Sequence, residues 1–221
     1  MAKSQITLAD VLHGVEWRLE EALQAFEAHR ILHERCNSEA APELNKAIND
    51  CAGFWQPVNI GLQSTLVIGI AALIDKERRD CSTLYKAIDL LTSDQRSKLP
   101  VDFIDALDEI RGRYVKFRHK LFAHNDLNRG DVVIDMQNAG FTWDSVDADL
   151  LRLRRSLKFL RHLCAGKPPM NWGDLDSQIR LNELAILRTR RDTGAFLDLL
   201  HLAIRLKAST AGETSQVTPS K

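Results

Sequence analysis

Residues 116 to 126 read KFRHKLFAHND, which places Arg118, His119, His124, Asn125 and Asp126 within nine positions of one another. An arginine offers a permanently charged, planar fork of donors that pairs with phosphate oxygens in a bidentate way. A histidine can take up or release a proton near neutral pH. Together these groups suffice, without a metal, to cleave an RNA phosphodiester. The imidazole deprotonates a 2′-hydroxyl, the hydroxyl attacks its own phosphate, and the cation holds the charge that develops. Geometry limits this idea. On a straight helix, at about 100° per residue, Arg118 and His124 point roughly 120° apart. They converge only if the helix ends or bends near His124, or if a second copy of the chain supplies the missing partner. Asn125, Asn128 and Gly130 are residues that end helices. The plain alternative leaves Arg118 and His119 solvated, with His124 at the helix C-terminus against its dipole.

The same segment belongs to the most regular periodicity in the chain. Phe103, Leu107, Ile110, Tyr114, Phe117 and Leu121 recur at spacings of four and three, the 3.5-residue period of a helix–helix seam. Arg118 stands at the edge of that seam, and Arg111 and Asn125 lie one heptad to either side. If the seam or its margin is a dimer contact, two clusters face each other across a two-fold axis and form a cleft.

Helical patterning extends over nearly all of the rest. Leu8, Val11, Leu12, Val15, Leu19, Ala22, Leu23 and Phe26 follow the i, i+3, i+4 rule, with Thr7 and Asp10 spaced as a capping box, and this helix is expected to run to about residue 36. A short helix near 43–51 follows. A mostly apolar helix through WQPVNIGLQSTLVIGIAALIDKE comes next, then a short one from about 83 to 92. Val132, Ile134 and Met136 alternate with polar neighbours, so a short β-hairpin is expected near 131–143. Helix resumes over about 145–165, with Leu150, Leu153, Leu157, Leu160 and Cys164 on one face. A further helical pair covers about 174–207, divided near Thr193-Gly194. The expected organisation is all-α, with one domain over 1–207 and a disordered tail over 208–221.

Composition narrows the functional classes. The 221 residues are 44% hydrophobic and 27% charged, with a formal net charge of zero, so a nucleic-acid partner must be met by a local patch. The longest apolar run, LVIGIAALI, has half the length a bilayer requires and reads as buried core, so no membrane partner is expected. The N-terminus carries no apolar run, which argues against a signal peptide. Cys36, Cys51, Cys81 and Cys164 are irregularly spaced, as in thiols of a reducing cytoplasm. His29, His33 and Cys36 share a helical face but lack a fourth ligand, so no metal site is expected. No phosphate-binding glycine motif or metalloprotease motif occurs, and no cofactor is expected. The basic faces of 152–162 (Arg152, Arg154, Arg155, Lys158, Arg161, His162) and 187–192 could meet an RNA backbone, or could be solvated faces paired with acids.

The segment RHKLFAHND resembles the R-x(4–6)-H motif of the HEPN superfamily, and most resembles its abortive-infection AbiU-like branch. Arg118, the polar His119, Lys120, Ala123, His124 and Asp126 match that form. The upstream IGIAALIDKERRDCSTLYKAIDLL is similar to the second helix of that family, which ends in an Asp-Lys turn (Asp75, Lys76). The resemblance covers residues 55–126. It implies an antiparallel helical bundle with extra C-terminal helices, a homodimer, and metal-independent RNA cleavage at Arg118 and His124. It also implies a toxin or phage-defence role, with RNA as substrate and an antitoxin protein as a further candidate partner. The expected catalytic residues are Arg118, His124 and His119, and the expected substrate-binding residues are Asn125, Asp126, Lys120 and Arg111. Asp126 would fix the imidazole tautomer, and Asp75 is a candidate partner for one of the basic residues. The alternatives are a non-catalytic nucleotide- or RNA-binding or protein-interaction module, and a plain helical scaffold.

Overall fold

The computed structural model describes residues 6–38, 42–77, 81–118, 140–167 and 184–214. These residues form eight helices: α1 (Leu8–Cys36), α2 (Pro42–Asp50), α3 (Ala52–Leu73), α4 (Leu84–Asp89), α5 (Ser93–Arg96), α6 (Phe103–Arg118), α7 (Trp143–Cys164) and α8 (Leu184–Thr214). No strand occurs among the described residues, and the chain is all-α. Two compact units can be distinguished, one from Met1–Leu23 and Ser64–Leu184, the other from Gln24–Gln63 and Ala185–Lys221. The long helices α1 and α3 each contribute one part to each unit.

The first unit carries Arg118. The apolar stripe of α1 supplies Val11, Leu12, Val15 and Leu19 to its core, and the second half of α3 supplies Leu66, Val67, Ile70 and Leu73. Of the apolar run 66–74 read as core, Leu66, Val67, Ile70, Ala71, Leu73 and Ile74 are buried, Gly69 and Ala72 are partly exposed, and Ile68 is 42% exposed. Over its full 22 residues α3 is nevertheless long and apolar enough, by length and composition, to cross a membrane. The α1 start is capped as its residues predict: Thr7 N donates to Asp10 Oδ2 at 3.0 Å, and Asp10 N donates back to Thr7 Oγ1 at 3.2 Å.

The seam of α6 is spent inside this unit. Phe103, Leu107, Ile110, Tyr114 and Phe117 are all buried. Phe159 of α7 packs on Phe103 with ring centroids 6.0 Å apart. Phe141, just before α7, contacts Tyr114 at 4.9 Å and Phe117 at 4.8 Å. Over its described residues the 3.5-residue period therefore records α6 packing against its own chain, and Leu121 of the expected seam lies outside the described residues. The leucines Leu150, Leu153, Leu157 and Leu160 of α7 are buried on the facing side, while Cys164 is half-buried. α7 starts at Trp143, capped reciprocally by Thr142 and Ser145 (Thr142 N to Ser145 Oγ 2.8 Å, Ser145 N to Thr142 Oγ1 3.1 Å). The expected hairpin ends where this helix begins, and residues 131–139 lie outside those described. The expected helix over about 83–92 is α4, capped by Thr83 and ending at Asp89, and Thr92 caps the separate start of α5 beyond it.

In the second unit, α8 is one unbroken 31-residue helix, not a pair divided at Thr193-Gly194. A lone glycine costs a helix only about 1 kcal/mol, which the residues on either side outweigh. The helix also runs on to Thr214, seven residues into the segment expected as a tail. Leu197 of α8 and Leu44 of α2 are buried in this unit. The buried carboxylate of Glu27 (3% exposed) accepts from Arg190 Nε at 2.6 Å and Nη2 at 3.1 Å, and from Arg30 at 3.0 Å. That pairing ties α8 to the second part of α1.

Candidate functional site

Arg118 is the last described residue of α6, and the packing of Phe117 beside it settles where its side chain goes. With Phe117 turned into the core, its neighbour stands at the core's edge, 23% exposed. There Arg118 Nη1 donates to Asp75 Oδ2 at 3.1 Å. Asp75 follows the buried end of α3 and is itself 6% exposed. Its other oxygen accepts from the backbone N–H of Glu77 at 3.0 Å, closing a tight polar turn. A buried carboxylate is expensive unless it is paired and hydrogen-bonded, and Asp75 is both.

The two residues after Asp75 meet α6 as well. Lys76 Nζ sits 2.5 and 2.8 Å from the Asp108 carboxylate oxygens and 4.7 Å from the centre of the Tyr85 ring. Tyr85 Oη donates to Asp108 Oδ1 at 2.5 Å. Arg111 Nη2 lies 3.6 Å from Glu77 Oε1. The turn Asp75-Lys76-Glu77 thus presents minus, plus and minus to plus (Arg118), minus (Asp108) and plus (Arg111) on the helix. Partial burial pushes the Asp108 carboxyl up, but the hydrogen bonds from Lys76 and Tyr85 more than reverse this and leave it below the usual carboxylate range. Burial, followed by the hydrogen bond to Asp108 and then its charge, holds the Tyr85 phenol well above its ordinary value. The charges balance, so this strip fixes the turn against α6 without making an open basic patch.

Behind the seam, Arg113 of α6 bonds the almost fully buried Asp149 of α7 through Nη2, and Glu109 through Nη1 at 3.2 Å. Burial raises the Asp149 carboxyl above its ordinary value, with Arg113 opposing. This pair and the aromatic contacts hold α6 and α7 together and so fix the end of α6 that carries Arg118.

Of the residues singled out by type and spacing, Arg118 and Arg111 are described, and each is paired with an acid of the turn. His119, Lys120, His124, Asn125 and Asp126 lie outside the described residues. Asp75 is the partner of a basic residue as expected, and that residue is Arg118. The basic face of α7 is engaged as follows. Arg152 bonds Glu109 at 3.0 Å, Arg161 bonds Glu16, and Arg154, Arg155 and His162 also have partners. The acids that pair with Arg152 and Arg161 come from α6 and α1, not from the DSVDADL stretch at the start of α7, whose Asp149 serves Arg113. In the 187–192 segment, Arg190 is committed to Glu27 and Arg191 to Asp192 at 2.9 Å. His29 is half-buried and contacts Gln63 at 3.3 Å, and burial holds its imidazole below the usual value. Among the described residues no three His, Cys, Asp or Glu side chains gather as metal ligands. Sequence reading missed Asp108, Tyr85 and Glu77. The available signal was the alternating charge of Asp75-Lys76-Glu77 set against Asp108, Arg111 and Arg118.

The described residues are all-helical, and α6 carries the arginine of the R-x(4–6)-H spacing at the edge of its buried seam. The family model described as AbiU2, of HEPN type, matches residues 15–178, most of the chain, and the protein belongs to that family. No curated protein and no solved structure matches it. The match ends before α8.

Proposed function

We propose that the protein is a metal-independent endoribonuclease of HEPN type that cleaves RNA by 2′-hydroxyl attack. The observation that carries this reading is the state of Arg118. It borders the buried seam of α6, is pinned at one nitrogen by a buried carboxylate, and keeps part of its side chain open to solvent. A cation fixed before substrate arrives stabilises developing charge without a reorganisation cost. In this reading His124 acts first as general base and then as general acid, six residues along from Arg118. His119 and Asn125 orient the substrate, Lys120 and Arg111 add positive charge near its backbone, and Asp126 holds the imidazole tautomer. A homodimer brings two copies of the cluster to one cleft. The setting is cytoplasmic, as a toxin or phage-defence effector that an antitoxin protein could hold in check.

The test is cleavage of single-stranded and structured RNA in EDTA. Wild type should cut and leave 2′,3′-cyclic phosphate ends, and loss of the Arg118 donor should lower kcat by about 10²- to 10³-fold. His124→Ala should abolish cutting with the fold intact. A His124→Ala protein as active as wild type overturns the assignment.

One observation favours a second reading. Lys76, Arg111 and Arg118 each face a carboxylate, so the described surface near the motif carries no net positive charge. That suits a non-catalytic module that binds nucleotide, RNA or protein. Wild-type protein that binds RNA more tightly than Arg118→Ala but never cuts it would establish this reading.

A further inference from the structure

We propose that Asp75 is the positioning residue of Arg118: it grips the guanidinium by one terminal nitrogen and so leaves the remaining donors aimed at an incoming phosphate. The inference rests on the nuclease reading for its catalytic consequence, but not for the clamp itself. Three features of the geometry carry it. First, the contact is single-ended. Nη1 bonds Asp75 Oδ2 at 3.1 Å, whereas Nε and Nη2 have no hydrogen-bond partner among the described residues. A purely structural Arg–carboxylate pair gains most by engaging both nitrogens of the fork, as Arg190 does with Glu27 in the other unit. Arg118 forgoes that and keeps 23% of its side chain exposed.

Second, the carboxylate is immobile. Asp75 is 6% exposed, sits directly after the buried Leu73 and Ile74, and has its Oδ1 bonded by the Glu77 backbone N–H. One oxygen thus helps to close the turn and the other holds the arginine. Third, the turn is also held to the preceding turns of α6, by Lys76 on Asp108 and Glu77 near Arg111. A partly exposed arginine otherwise samples several rotamers, and fixing it here moves that ordering cost from the substrate-binding step to folding.

The side-chain chemistry makes the claim sharp. Asn at position 75 is nearly isosteric but can satisfy only one of the two contacts. If its oxygen accepts from Glu77 N–H, its NH₂ faces Arg118, donor against donor. If it is flipped, the clash moves to Glu77. Arg118 is released in one case and the turn opened in the other.

The test uses the full-length protein in two arms. In the first, Arg118 is labelled with phenylglyoxal and its modification followed by peptide mass spectrometry, with Arg113 as internal reference. Asp75→Asn should raise the labelling rate of Arg118 severalfold with Arg113 unchanged, and Asp75→Glu, which keeps the charge, should restore part of the protection. In the second arm RNA cleavage is measured for the same variants. Asp75→Asn should lower kcat on the order of 10²-fold with little change in KM, and should have no added effect on RNA affinity in an Arg118→Ala background. Unchanged Arg118 labelling in a folded Asp75→Asn protein overturns the clamp. Wild-type kcat in that variant overturns its catalytic consequence. Absence of cleavage by wild type would fall on the nuclease reading alone, since the labelling arm still decides the clamp. Circular dichroism and thermal midpoints of both variants separate release of Arg118 from loss of fold.

Discussion

The Arg113–Asp149 pair offers the most demanding check on how α6 is held. Replacing Arg113 with Met keeps the aliphatic stem and removes the charge. Asp149 is then left 2% exposed without its cation. Breaking a buried pair costs about 3–5 kcal/mol when both partners are dry. Arg113 retains 28% side-chain exposure, so water can approach once it is gone and about 2–4 kcal/mol is the better expectation. The loss should depend on pH in a definite direction. Burial already raises the Asp149 carboxyl, and removal of Arg113 takes away the largest opposing influence, so its folded-state pKa climbs further. A folded carboxyl that holds its proton more tightly than the unfolded one contributes no penalty below the unfolded value of about 3.9. Stability then falls as pH rises from there toward the folded pKa, by about 1.36 kcal/mol per unit of difference. The deficit of Arg113→Met should therefore be small near pH ~4 and largest near pH ~8, read from urea midpoints across that range. Adding Asp149→Leu should recover at least half of it, because the pair is then replaced by apolar packing. A deficit that is the same at both ends of the range, or a double variant as unstable as the two single losses added together, refutes the reasoning.

Two helix glycines should respond in opposite directions to alanine. A Cβ at Gly14 would stand 2.5 Å from Ser82 Oγ and 2.7 Å from Ser82 Cβ, so Gly14→Ala should lower stability by about 1–3 kcal/mol despite better helix propensity. Gly112 of α6 has no atom within 4 Å of that position, so Gly112→Ala should raise stability by about 0.5–1 kcal/mol. Thermal melts with the same sign for both would defeat this prediction. Thr142→Ala breaks the reciprocal cap of α7 and should cost about 1 kcal/mol in chemical denaturation. A change within a few tenths would mean that Phe141 packing, and not the cap, sets the start of α7.

The helical class, the α1 stripe and the α6 seam were all readable from residue order, because amphipathic spacing is a local property: a residue every 3.5 positions must bury itself somewhere. The seam's spacing could not say against what, and only the arrival of Phe141 and Phe159 showed that the partner is the same chain. The break expected at Gly194 failed for a related reason. One permissive residue is compatible with both a turn and a continuous helix, and the residues around it decide. Arg118 was legible as a candidate from its chemistry and its motif. Its clamp was not, since Asp75 lies 43 positions away and becomes a neighbour only when the end of α3 is laid against the end of α6. Local sequence thus determined which faces are apolar and which side chains could do chemistry. Which carboxylate meets which cation was decided by tertiary packing, because a charge pair depends on distance in space and leaves no period along the chain.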